Sequence, residues 1–123
     1  MTLAYWMILL AAFLPYFAAA AAKSGGKYDN SAPRAQLEKT TGWRQRANWA
    51  QMNAFEAFPP FAAAVIIAHQ LHATQYRIDL LAVLFVGFRL LHTLFYILDR
   101  PALRSLAWTG GFLCVIGLFV IAA

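Results

Sequence analysis

The sequence predicts an all-α fold: four membrane-spanning helices closed into one bundle, a single domain over residues 1–123. Three observations predict it. Hydrophobic residues make up 62% of the chain and charged residues 12%, whereas a soluble domain is about 45–50% apolar. Four runs, 3–22, 47–68, 80–98 and 106–123, are each long enough to cross a hydrocarbon core of about 30 Å. Lys and Arg gather in only two of the three connections between them. Almost no chain is left over, which excludes a separate soluble domain.

The helices are expected over about 2–22, 43–70, 79–98 and 102–123, with a polar connection over about 23–42. The first run carries no charge. It lacks the basic n-region of a secretory signal and is longer than a usual signal core, so a retained helix is expected. Pro15 stands in mid-span and is expected to bend it. In the first connection, Ser24-Gly25-Gly26 and Ala32-Pro33 argue against a continuous helix. The second helix should start near Trp43 and break or kink at Pro59-Pro60. The third should end in a tight turn at Asp99-Arg100-Pro101. The fourth is apolar nearly all round after Arg104, and its Gly110, Gly111 and Gly117, with the alanines of the second helix, should permit close helix approach. Cys114 is the lone cysteine, so no intrachain disulfide can form, and packing is its expected role.

A net charge of +5 could suggest nucleic acid, but its distribution points elsewhere. Lys23, Lys27, Arg34, Lys39, Arg44 and Arg46 flank or fill the first connection, and Arg100 and Arg104 flank the third. The second has only Arg77, beside Asp79. Short basic loops stay cytoplasmic, which puts loops one and three inside and both termini and loop two outside. The basic excess is thus a topology signal and no argument for a nucleic-acid partner.

Polar residues within the apolar runs carry the functional signal, because an ionisable group at mid-bilayer costs about 2.5–3.5 kcal/mol on insertion scales. At about 100° per residue, Arg46, Asn53 and Glu56 fall within about 80° of one another, and Arg89, His92 and Tyr96 within about 60°. Each of the two helices therefore bears one polar stripe. At 1.5 Å per residue, Glu56 lies about 14 Å from Ala47, and Arg89 about 14 Å from both ends of its run. A Glu56–Arg89 ion pair is expected at that shared depth, since an unpaired buried charge costs several kcal/mol. Asn53, Tyr96, Arg46 and Arg104 would then line a basic cleft open to the cytoplasm, suited to a small ligand with several carboxylates. His69 and His72 have metal-ligand spacing but no third ligand, and headgroup contact at the outer interface is expected. No nucleophilic triad, phosphate-binding glycine loop or zinc pattern occurs. A small proton-coupled exporter built on Glu56 is an alternative; it needs that carboxylate to titrate freely.

Arg46-Ala47 followed by Asn53-Ala54-Phe55-Glu56-Ala57-Phe58-Pro59 resembles the second-helix signature of the MAPEG family, membrane-associated proteins in eicosanoid and glutathione metabolism. Gly87 to Tyr96, with Arg89, His92 and Tyr96, and then Leu103-Arg104-Ser105, resemble the third and fourth helices of its prostaglandin E synthase branch. The likeness is to bacterial-like members of the microsomal glutathione transferase and prostaglandin E synthase group. It implies a homotrimer, in the inner membrane if bacterial, with glutathione between adjacent subunits near the cytoplasmic side and a lipophilic electrophile or lipid hydroperoxide arriving from the bilayer. By position, Asn53, Glu56, His92, Tyr96, Arg104 and Ser105 match glutathione-site or supporting positions, and Arg46 would join them in binding glutathione by partly replacing the cation absent at Trp49. Arg104 would hold the thiolate, Ser105 would donate to the sulfur, and Arg89 would support Glu56 structurally. Trp49 stands where glutathione-using members carry an Arg, and Trp108 where the prostaglandin branch has a Tyr. A non-catalytic binding or scaffold protein of the same fold is the reading those two departures favour.

Overall fold

The computed structural model describes residues 1–26 and 28–123; Lys27, one of the basic residues of the first connection, lies outside the described residues. Five helices follow one another: α1 Leu3–Lys23, α2 Pro33–Glu38, α3 Gly42–Gln70, α4 Gln75–Ile97 and α5 Pro101–Ala122. The chain is an all-α membrane bundle. Three helices, α1, α4 and α5, are long and apolar enough to cross a membrane. The fourth long helix, α3, is the longest at 29 residues and holds Arg44, Arg46, Asn53, Glu56 and His69, which lower its hydropathy. Phe17, Leu106 and Val120 are 72%, 68% and 67% exposed, an outward apolar shell that suits lipid.

Small residues set the packing. The buried positions of α1 are Ala4, Ala11, Pro15, Ala18 and Ala22, one face at helical spacing. They lie along α3, which buries Ala47, Ala50, Ala54, Ala64 and Ala68. With no hydrophobic drive between helices in lipid, close backbone approach supplies the dispersion energy instead. Deeper in, Phe61 of α3 stacks on Phe85 of α4 at 3.9 Å between centroids and 8° between planes. Both rings are buried, and such a pair contributes about 0.5–1.5 kcal/mol beyond its area.

Four features sharpen the expected fold, the last of them a correction. Pro59 and Pro60 do not break α3, which is continuous through them. They cannot donate to the carbonyls of Phe55 and Glu56, a loss membrane helices tolerate. Secondly, the first connection contains the short helix α2. Pro33 sits at its first turn, where a missing N–H costs nothing, and Leu37 is buried against Ala22 and Ala47. Thirdly, the close approach given by the α5 glycines is to α4. A Cβ on Gly110 would fall 2.5 Å from the Phe88 ring, one on Gly117 3.3 Å from Leu81, and one on Gly111 3.7 Å from Arg89 Cδ. Fourthly, α4 begins at Gln75, four residues before Asp79.

Both short turns reverse the chain through a left-handed residue, His72 at φ 58° and Asp99 at φ 57°. Each is closed by a bond reaching five residues back, Ala73 N–H to Ala68 O and Arg100 N–H to Phe95 O, the Schellman pattern. At the α1 N-terminus, Asp79 accepts from the Ala4 N–H at 2.8 Å and from Gln75 at 2.9 Å. His69 donates from Nδ1 to Val65 O at 2.8 Å, so its Nε2 accepts from the Thr2 hydroxyl at 2.9 Å. Tyr5 stacks on the same imidazole at 4.2 Å. His69 is thus a fastener between α1 and α3. In the first connection, the Ser31 hydroxyl and N–H both donate to Asp29, which holds that exposed carboxyl below its ordinary range.

Candidate functional site

The polar stripes of α3 and α4 meet. Arg89 is 3% exposed, and its Nη2 donates to Asn53 Oδ1 at 2.6 Å. The expected Glu56–Arg89 ion pair is therefore replaced by an Arg89–Asn53 hydrogen bond. Glu56 lies one turn along the same face of α3 and is exposed on the subunit surface. A charge-assisted bond of this kind is worth about 1.5–3 kcal/mol. The Arg89 stem passes α5 at Gly111, where a Cβ would stand 3.7 Å from Arg89 Cδ, an ordinary contact.

One turn nearer the α4 C-terminus, His92 is 2% exposed and meets Tyr96 edge to face at 5.5 Å. Its Nδ1 is buried without a hydrogen-bond partner among the described residues. Tyr96 then serves as a platform. The Arg104 guanidinium lies 4.6 Å over its ring, a cation–π contact of about 0.5–2 kcal/mol, and Trp49 approaches from α3 at 6.4 Å. Arg104 stands in the first turn of α5, so the tight turn at Asp99 is what brings it back over α4. Ser105 is exposed beside it, its carbonyl accepting from the Thr109 hydroxyl at 2.9 Å. Arg46 Nε donates to Ile97 O at 3.1 Å, tying α3 to the end of α4.

Between these groups lies an open cleft of about 420 Å³, lined by Trp49, Met52, Asn53, Glu56 and Tyr96. That is within the roughly 300–1,000 Å³ of small-molecule sites. Of the residues expected from sequence, Asn53, Glu56 and Tyr96 line it, Arg104 caps Tyr96, and His92 supports the ring from below. Arg46, His92, Arg104 and Ser105 are not among its lining residues, so the basic lining expected from sequence is not observed in the subunit. Trp49, expected only as a departure from the family pattern, and Met52 also line it. The signal was there: 49, 52, 53 and 56 are one helical face by spacing. Chemically, the cleft offers a cation held on an aromatic face, an amide and a carboxylate, all opening on an apolar surround.

Fold and site together define an integral membrane helical bundle with a polar cleft between its second and third long helices and Arg104 seated beside it on Tyr96. The chain belongs to the MAPEG family, whose model matches residues 3–123. No curated protein and no solved structure matches it. Membership supports a membrane function related to glutathione transfer or peroxide reduction, and members of the family typically use glutathione.

Proposed function

We propose that this chain is a glutathione-dependent transferase or peroxidase that acts on a lipophilic electrophile or hydroperoxide drawn from the bilayer. The observation that carries this reading is the Arg104 guanidinium seated on Tyr96 beside a cleft lined by Asn53 and Glu56. A nearby cation lowers a thiol pKa, and the thiolate is the nucleophile. Arg104 would hold the sulfur as thiolate while Ser105 donates to it. The thiolate would form a C–S bond by addition or with departure of a leaving group, or break a peroxide O–O bond. The latter would release the alcohol and leave a glutathione sulfenate that a second glutathione reduces to the disulfide with loss of water. Asn53, Glu56, Tyr96 and Arg46 would hold the tripeptide, whose amine suits Glu56 and whose carboxylates suit the arginines. The orphan Nδ1 of His92 costs about 1–3 kcal/mol while unpaired, which a bound ligand or a neighbouring subunit could offset.

A homotrimer belongs to the same proposal. Glu56 is exposed on the single subunit at a depth where facing lipid costs about 2.5–3.5 kcal/mol, and a second copy would cover it. We place the Arg104 end in the cytoplasm, with both termini outside, because the basic connections gather there. If the source is bacterial, this is the inner membrane.

Addition of glutathione to the detergent-solubilised protein should produce the ultraviolet difference band of a thiolate. Arg104→Ala should abolish it and Arg104→Lys should keep part of it; an undiminished band in Arg104→Ala would remove the assigned role. A specific observation favours a second reading, a non-catalytic binder: the Trp49 ring occupies the cleft wall where a ligand-holding cation is expected. The exporter built on Glu56 is separated from both by experiment. Glu56-dependent drug efflux without glutathione binding would favour it over the transferase.

A further inference from the structure

Asn53 and Glu56 line two cavities, one on each side. Towards Trp49 and Tyr96 lies the polar cleft described above. On the other side lies a second cavity of about 260 Å³, more enclosed, between α3, α4 and α5. Its polar end is Asn53, Glu56 and Arg89, and its apolar walls include Pro60, Phe85, Trp108 and Val115. The two cavities share a wall, so a polar molecule in the first and an apolar one in the second would lie against each other.

The chemistry of the second cavity is selective. Arg89 is 3% exposed and carries five N–H donors, yet one hydrogen bond, to Asn53, is made. The remaining donors are free to meet a ligand in the cavity, and in its apolar surround donors left idle are costly. Glu56 on the same wall offsets the guanidinium charge, which disfavours a full anion. The matching group is a neutral oxygen acceptor on an apolar body. The volume falls below the usual range for a drug-sized ligand, so it takes the head of a molecule whose remainder extends over the exposed Trp108–Phe112 stack.

We propose that this α3–α4–α5 cavity is the subsite for the lipophilic partner: it holds the carbonyl end of a bilayer-borne ketone, aldehyde or ester, with Arg89 donating to the oxygen. The assignment of that partner as second substrate rests on the function proposed above; the binding itself does not.

The test is photolabelling of the detergent-solubilised protein, without glutathione, by a 4-alkylbenzophenone, a diaryl ketone that reacts from its own carbonyl. Labelling should be saturable and map to residues 53–60, 85–89 or 108–115. A non-photoreactive ketone should compete about tenfold better than the matched hydrocarbon, the worth of one bond from a charged donor. Arg89→Met should erase that preference. Val115→Trp, or Gly111→Val should the larger change prevent folding, should fill the cavity and remove labelling. Labels confined to α1 or the outer face of α5, equal competition by ketone and hydrocarbon, or full labelling of the filled variant would each overturn the proposal. The thiolate band is measured separately on the same variants. Loss of that band with labelling intact would refute glutathione use alone, and loss of labelling with the band intact would refute this cavity alone.

Discussion

Two adjacent glycines should respond to the same substitution with opposite signs. In Gly110→Ala the new Cβ would stand 2.5 Å from Cε1 and 2.6 Å from Cζ of Phe88, far inside contact distance. Either the half-buried ring turns aside or α5 moves off α4, and overpacking of this kind costs about 1–3 kcal/mol. Replacing Gly by Ala inside a helix returns about 0.5–1 kcal/mol. The net expectation is destabilisation by about 1 kcal/mol. In Gly111→Ala the nearest atoms are Arg89 Cδ at 3.7 Å and the Phe85 ring at 3.8 Å, ordinary contacts, so the propensity gain stands alone. That variant should be more stable by about 0.5–1 kcal/mol, leaving the pair about 2 kcal/mol apart. Denaturing-detergent titration of the reconstituted protein, followed by Trp fluorescence at one protein concentration, measures both. If Gly110→Ala proves at least as stable as Gly111→Ala, the α4–α5 packing that positions Arg89 and Arg104 is wrong.

Asn53→Leu should destabilise the fold by about 2–4 kcal/mol, since it leaves the buried Arg89 without its acceptor; the same titration reads it, and a change below about 0.5 kcal/mol, the usual surface value, would contradict the Asn53–Arg89 contact. Trp49→Arg puts a cation on the cleft wall and should tighten glutathione binding about tenfold or more, as expected for a charged hydrogen bond. Unchanged or weaker binding in calorimetry would show that Trp49 does not stand in the tripeptide's place.

Much of the fold was legible because a bilayer imposes length and apolarity on each span, as α1, α4 and α5 show. The short α2 was not, since Pro33 reads equally as a breaker and as a first-turn residue, and only the burial of Leu37 between Ala22 and Ala47 decides between them. In the site, helical spacing put Asn53, Glu56, Arg89, His92 and Tyr96 together correctly by face. It misassigned the partner of Arg89, because Asn53 and Glu56 share that face one turn apart and depth alone does not separate them. The direction of the α5 glycines was likewise hidden. Gly110, Gly111 and Gly117 mark close approach, and the side chains of α4 that fill the space, Phe88, Arg89 and Leu81, are chosen by tertiary packing.

The central claim is that glutathione binds in the cleft between Trp49 and Tyr96. Calorimetric titration of glutathione into the solubilised protein tests it most directly. Binding with a Kd at or below about 1 mM, the upper end of ordinary substrate ranges, and its loss in Arg104→Ala, is the expected result. No heat of binding at millimolar glutathione, in protein shown to be folded, would contradict the account and leave a family member that keeps the fold without the chemistry.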